Sequence, residues 1–149
     1  MKILLIILMS FTTSCASSID WKEKTVQDIT AKTTRHKHVR AITEFEVKSV
    51  GVGSGMESGR WYLNSGPNYR SSHSLNVHLT PEVVAQLSLK YNIKSESELI
   101  GKNIRVKGTA IAKAYCVRLG CPVRIILNTP EMYLQTQVSI TDLSKISFL

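Results

Sequence analysis

LNVHLTPEVVAQLSLKY (Leu75–Tyr91) holds the change of period on which the fold turns. Leu75, Val77 and Leu79 alternate with Asn76 and His78, the two-residue repeat of a strand with one buried face. At Thr80-Pro81-Glu82 the pattern changes. A capping threonine, a proline at the first helical position and an acid in the first turn open a helix. Val83, Val84, Leu87 and Tyr91 then keep helical spacing along one face. A strand therefore runs straight into a helix, and its neighbours decide the architecture.

Two strands are predicted before it. Ile42-Thr-Glu-Phe-Glu-Val-Lys-Ser-Val50 largely alternates apolar and polar residues, and Arg60-Trp-Tyr-Leu63 reads as a second strand after a turn rich in glycine (Gly51, Gly53, Gly55, Gly59). Asn64-Ser-Gly-Pro-Asn68 is turn chemistry. After the helix, Ser95-Glu-Ser-Glu98 makes a short turn into Leu99-Ile-Gly101, and two more strands follow at Asn103–Lys113 and Val123–Leu127. His38–Val50 and Leu99–Ile111 resemble each other weakly, both leading into a long alternating strand. The order is three strands, a helix, two strands.

Leu99-Ile-Gly-Lys-Asn-Ile-Arg-Val-Lys-Gly108, followed by Arg124-Ile-Ile-Leu127 and Thr129-Pro-Glu-Met132, resembles the closing half of bacterial OB-fold domains of the nucleic-acid-binding-like kind. Trp61-Tyr-Leu-Asn64, Tyr69-Arg70 and Leu75-Asn-Val-His78 resemble the opening half of the same family. The resemblance spans about residues 38–134. It implies a mainly β chain: a small five-stranded OB-fold-like Greek-key barrel with one helix between strands three and four, the order just read. Gly101 and Gly108 would serve its turns and tight bends. The motifs are structural and name no ligand.

The first residues, MKILLIILMSFTTSCASS, have one positive charge at Lys2, an apolar run Ile3–Met9 and a small-residue zone, the layout of an export signal. The run is far shorter than the roughly 20 residues a membrane-spanning helix needs. Two readings of the cleavage zone stand. Ser14-Cys15-Ala16 is a small-x-small site with Ser17 as the new terminus, or Cys15 is the acylated residue of a bacterial lipoprotein, with Thr12 an unusual residue three places before it. The expected organisation is a signal at 1–16, a lead-in segment at 17–37, the OB-fold-like domain at 38–134 and a C-terminal tail at 135–149. The expected location is extracytoplasmic: a membrane-anchored lipoprotein, or else a periplasmic or secreted protein.

With Cys15 lipidated or removed, Cys116 and Cys121 remain, and an oxidising compartment favours a disulfide closing the loop between the last two strands. Two unbridged thiols are the alternative. So short a loop gains about 2 kcal/mol from closure. No second Cys/His pair lies at zinc-ligand spacing, so no metal and no cofactor are expected.

The formal charge is +8, which at an exported location suits anionic partners or simply keeps a basic protein soluble. Lys32-Thr-Thr-Arg-His-Lys-His-Val-Arg40 concentrates four fixed cations and two histidines. It reads as a basic patch or as a solvated lead-in to the first strand.

Catalytic patterns are sparse. Glu44 and Glu46 lie on the polar side of the first strand, Ser54-Gly55 and Ser65-Gly66 lack a linked His/Asp pattern, and Gly51-Val-Gly-Ser-Gly55 lies between strands with no helix to hold a phosphate. The chain reads as a binding protein and not as an enzyme. OB-folds bind oligomers on the face of strands two and three, flanked by two loops. Here that face would hold Arg60, Tyr62, Asn64, Tyr69, Arg70, Asn76 and His78, with Lys113, Arg118 and Arg124 at the second loop. Cations beside aromatic rings suit an anionic polymer, a nucleic acid or an acidic glycan. The plainer reading buries Trp61 or Tyr62 and leaves the cations as ordinary surface. The expected function is an exported OB-fold binding or accessory protein of the cell envelope. The alternative is a non-catalytic assembly lipoprotein, its barrel a scaffold for an envelope protein.

Overall fold

The computed structural model describes residues 20–36, 38–116 and 132–149. Over the described residues the chain is mainly β, an open mixed sheet with two α-helices. Its elements are α1 (Val26–Thr33), β1 (His38–Glu46), β2 (Ser49–Val52), β3 (Trp61–Asn64), β4 (Leu75–Leu79), α2 (Pro81–Tyr91), β5 (Asn103–Cys116), β6 (Met132–Ile140) and β7 (Ile146–Phe148). Strands follow one another in space as β1-β5-β6-β4-β3-β2, with β7 also on β5. All pairs are antiparallel except β4 with β6, which is parallel.

The strand-to-helix junction forms as the residues dictate. Leu75, Val77 and Leu79 are fully buried, and Thr80 takes an extended capping conformation before Pro81 opens α2. Val83 and Leu87 enter the core, Val84 packs on it, and the half-exposed Tyr91 sets its ring edge-on to Phe148, centroids 4.7 Å apart. Asn92 ends the helix in the left-handed conformation (φ 52°), which its short amide tolerates.

Seven strands appear among the described residues where five were expected, and each difference has a local cause. The predicted first strand is divided into β1 and β2. Val47 bonds towards the start of β5 (its N–H to Lys102 O 2.9 Å; Gly101 N–H to its own carbonyl 2.8 Å), whereas Lys48 N–H bonds to Asn64 O at 2.9 Å. The chain thus changes partners at residues 47–48. The predicted strand Val123–Leu127 lies outside the described residues.

The expected tail at 135–149 is corrected: it carries most of β6, at the centre of the sheet between β5 and β4, and all of β7. Its strand signal is faint because from residue 135 on β6 turns Gln135, Gln137 and Ser139 one way and Thr136, Val138 and Ile140 the other, so within the tail only Val138 and Ile140 mark the alternation.

The described part of the lead-in, residues 20–36, is also structured. Thr25 caps α1, its hydroxyl oxygen accepting from Asp28 N–H at 3.1 Å. Val26, Ile29, Thr30 and Thr33 form the buried face, and the Thr33 hydroxyl meets that of Thr136 on β6 at 2.9 Å. Just before the helix, Ile42 N–H bonds to Lys22 O and Lys24 N–H to Ile42 O, a parallel bridge that ties this segment to β1.

Candidate functional site

Alternation puts opposite residues on opposite faces. Trp61 and Leu63 of β3 and Leu75, Val77 and Leu79 of β4 are buried in the core. Tyr62, Asn64, Asn76 and His78 therefore lie on the opposite face, with both asparagines still buried, and the register pairs Tyr62 with His78 and Asn64 with Asn76. Of the two rings read as candidate core, Trp61 goes inside and Tyr62 goes to the outer face.

Gln135, Gln137 and Ser139 of β6 extend that face, since His78 pairs with Ser139 and Asn76 with Gln137. Lys113 and Tyr115 of β5 complete it beside Gln135 and Tyr133. Between these strands runs a groove of about 450 Å³, lined by β2, Glu57, Arg60, Tyr62, Asn64, Tyr69, Asn76, His78, Lys113, Tyr115, Tyr133, Gln135 and Ser139. That volume is within the range of small-molecule and oligomer subsites.

The rings are fixed before any ligand arrives. Tyr62 and His78 meet edge to face, centroids 4.6 Å apart, while Tyr115 and Tyr133 stack at 5.7 Å and 22°. Tyr69 stands edge-on to Tyr133, and the Arg70 guanidinium lies 5.4 Å from the Tyr69 ring centroid and 5.6 Å from that of Tyr133. Amides hold the floor. Gln135 donates to Tyr69 O at 3.1 Å, which ties the loop before β4 to β6, and Gln137 donates to the Tyr115 hydroxyl. The Asn76 amide donates to Ser74 O and Thr136 O at 3.2 Å each, and its side-chain oxygen has no hydrogen-bond partner.

Charge in the groove is mostly positive. Glu57 is taken up by an ion pair with Arg60. Burial, with Lys113 and Arg60 adding to it, lowers the His78 imidazole to about 4, so at neutral pH it is uncharged. Burial likewise raises the Tyr62 phenol, with Glu57 beside it, and the Tyr133 phenol, with Tyr69 beside it. The groove offers rings, amides, the Lys113 cation and an Arg60 that shares its charge with Glu57.

Arg60, Tyr62, Asn64, Tyr69, Asn76, His78 and Lys113 are thus brought to one groove, and Arg70 adjoins it across two of its rings. Arg118, Arg124 and Cys121 lie outside the described residues. Cys116 ends β5, opposite Met132. Sequence reasoning missed Tyr115, two residues beyond Lys113 and so on the same face, and missed Tyr133, Gln135 and Ser139, which share one side of β6.

A larger hollow of about 810 Å³ lies between the start of α1 and β1. Of the cations that line it, Arg105 is held by Glu44 and Glu23, Lys48 by Glu46, and Lys24 donates to the Arg40 carbonyl. Comparison with protein-family models, with characterised proteins and with solved structures finds no match.

Proposed function

We propose that this chain is an exported OB-fold protein of the cell envelope that binds an anionic polymer along the tyrosine-lined groove. The observation that carries the reading is convergence. Cations, rings and amides from β3, β4, β5 and β6, far apart in sequence, line one groove.

The OB reading is supported by connectivity. Only Val47 and Lys48 separate β1 from β2, and they exchange one partner strand for the other. Counted as one bent strand, β1–β2 gives five principal strands. The first then pairs with the second and fourth, the third is parallel to the fifth, and α2 lies between the third and fourth, as in OB-folds. Under this reading β7 prolongs the fifth strand along β5. Export is supported by the charged, apolar and small-residue order of residues 1–16.

Among anionic polymers, single-stranded nucleic acid matches the groove best, because its bases stack on rings and its phosphates pair with cations. Fluorescence anisotropy with labelled oligothymidylate tests this, with a labelled polygalacturonate oligomer as the second arm. Binding of the oligonucleotide that weakens steeply with salt supports the reading, and binding of the polyuronate alone moves it to an acidic glycan. No binding to either refutes it. A second reading, the assembly lipoprotein, is favoured by the exposed apolar Val52 and Met56 beside the groove, and capture of one envelope protein without polymer binding would select it.

A further inference from the structure

We propose that the end of the groove bounded by Arg60, His78 and Lys113 is an oxyanion subsite that seats one phosphate group of the polymer and takes up a proton as it fills. The inference rests on the groove reading and deepens it.

Three nitrogen-bearing side chains line the groove from separate elements, Arg60 just before β3, His78 in β4 and Lys113 in β5, near enough for both cations to act on the imidazole. The register sets His78 between Tyr62 on one side and Ser139 on the other. Tyr62 holds the imidazole edge to face, so the ring is fixed in place without being charged. From β2 only Val50, Gly51 and Val52 reach the groove, none of them titratable. From β5 the facing titratable groups are Lys113 and Tyr115, and from β6 Tyr133. Glu57 is the one carboxylate lining the groove among the described residues, and its partner is Arg60.

The ring therefore sits in a positive field, partly removed from water. Burial first and the field second favour the neutral form and lower the titration of the imidazole to about 4. An oxyanion placed between the two cations reverses the sign of that field. It favours the imidazolium, which then gives the anion a further N–H donor beside the Ser139 hydroxyl. Linkage makes the effect reciprocal: an anion that raises the titration of His78 must itself bind more tightly as pH falls.

Inorganic sulfate is the probe, because its charge is constant across the pH range used. Imidazole resonances of the full chain are followed by NMR from pH 4 to 8 with and without sulfate. The expected result moves His78 from about 4 towards 6, with sulfate binding about tenfold tighter at pH 5 than at pH 7. His78→Gln should abolish that pH dependence, Lys113→Ala should weaken sulfate binding at every pH, and Lys94→Ala, outside the groove, should change neither. If His78→Gln does not fold, the wild-type titration decides. A His78 titration that sulfate leaves unmoved, or an affinity flat between pH 7 and 5, overturns the subsite. Oligothymidylate binding that persists with flat pH dependence removes the subsite and leaves the groove reading standing. Proton-linked sulfate binding without any oligothymidylate binding supports the subsite and removes the nucleic-acid reading.

Discussion

Gly108→Ala adds one methyl group where the sheet has no space for it. Gly108 lies opposite Ala41 in the β1–β5 ladder, just before β5 begins to pair with β6. A Cβ there would stand 2.3 Å from Val138 Cγ1 and 3.7 Å from Ile140 Cδ1. Val138 cannot easily move aside. It is 3% exposed, stiff at its branched Cβ, and held in ladders on both sides, to Ala110 and to Val77. Overpacking of this kind costs roughly 1–3 kcal/mol. Gly108 does not have positive φ, so alanine also gains roughly 0.4–1 kcal/mol by restricting the unfolded chain. The clash wins, and the melting temperature should fall by roughly 3–8 °C for a chain of this size. Urea and thermal melts followed by circular dichroism read the loss. In the double variant with Val138→Ala the clashing methyl is gone, so the pair should be less destabilised than the sum of the singles by about 1 kcal/mol or more. An unchanged or raised melting temperature for Gly108→Ala, or strict additivity in the double variant, would refute this placement of β5 against β6.

The lowered titration of His78 makes stability pH-dependent: the unfolded chain takes up the proton near 6.5 and the folded one near 4, so stability is full above 6.5 and declines as pH falls through that window. After a discount for partial exposure the loss is about 2 kcal/mol, and His78→Gln should flatten it in urea melts at pH 4 to 7. Arg70→Ala should reduce the salt dependence of oligonucleotide binding by about one unit of slope. Tyr62→Ala should lose roughly 1–3 kcal/mol of affinity with little change in that slope, and equal salt slopes for the two variants would contradict the division of labour. Cys116 and Cys121 should resist alkylation without reduction in intact-mass analysis of protein from the envelope; two alkylated thiols there would contradict a bridge. Cys15→Ser should release the protein from membranes, whereas a native chain starting at Ser17 without an acyl mass would rule out the lipid anchor.

The junction at Leu79-Thr80-Pro81 was legible because strand alternation, capping and helical spacing agree within a few residues, and α2 begins and ends where they place it. The outer face of β3 and β4 followed from the same alternation once Leu63 and Val77 were set inside. β6 was hidden by its composition: beyond Tyr133 its groove side is glutamine and serine, and Thr136 replaces an aliphatic residue inside. α1 was hidden for a similar reason, since Thr30 and Thr33 are buried through hydroxyl bonds that hydropathy does not register. The neutrality of His78 arises first from its burial in the groove and then from Lys113, 35 places along the chain, and Arg60. No local motif announces a charge that reaches the ring only through the sheet.

Amide chemical-shift mapping with unlabelled oligothymidylate tests the binding claim most directly, because it reports where a ligand lands as well as whether it binds. The account predicts that the largest shifts on titration fall on Tyr62, Asn76, His78, Tyr133 and Gln135, from three strands of one groove. Shifts centred on α2 or on the hollow beside Arg105, or none at ligand saturating by anisotropy, would contradict it.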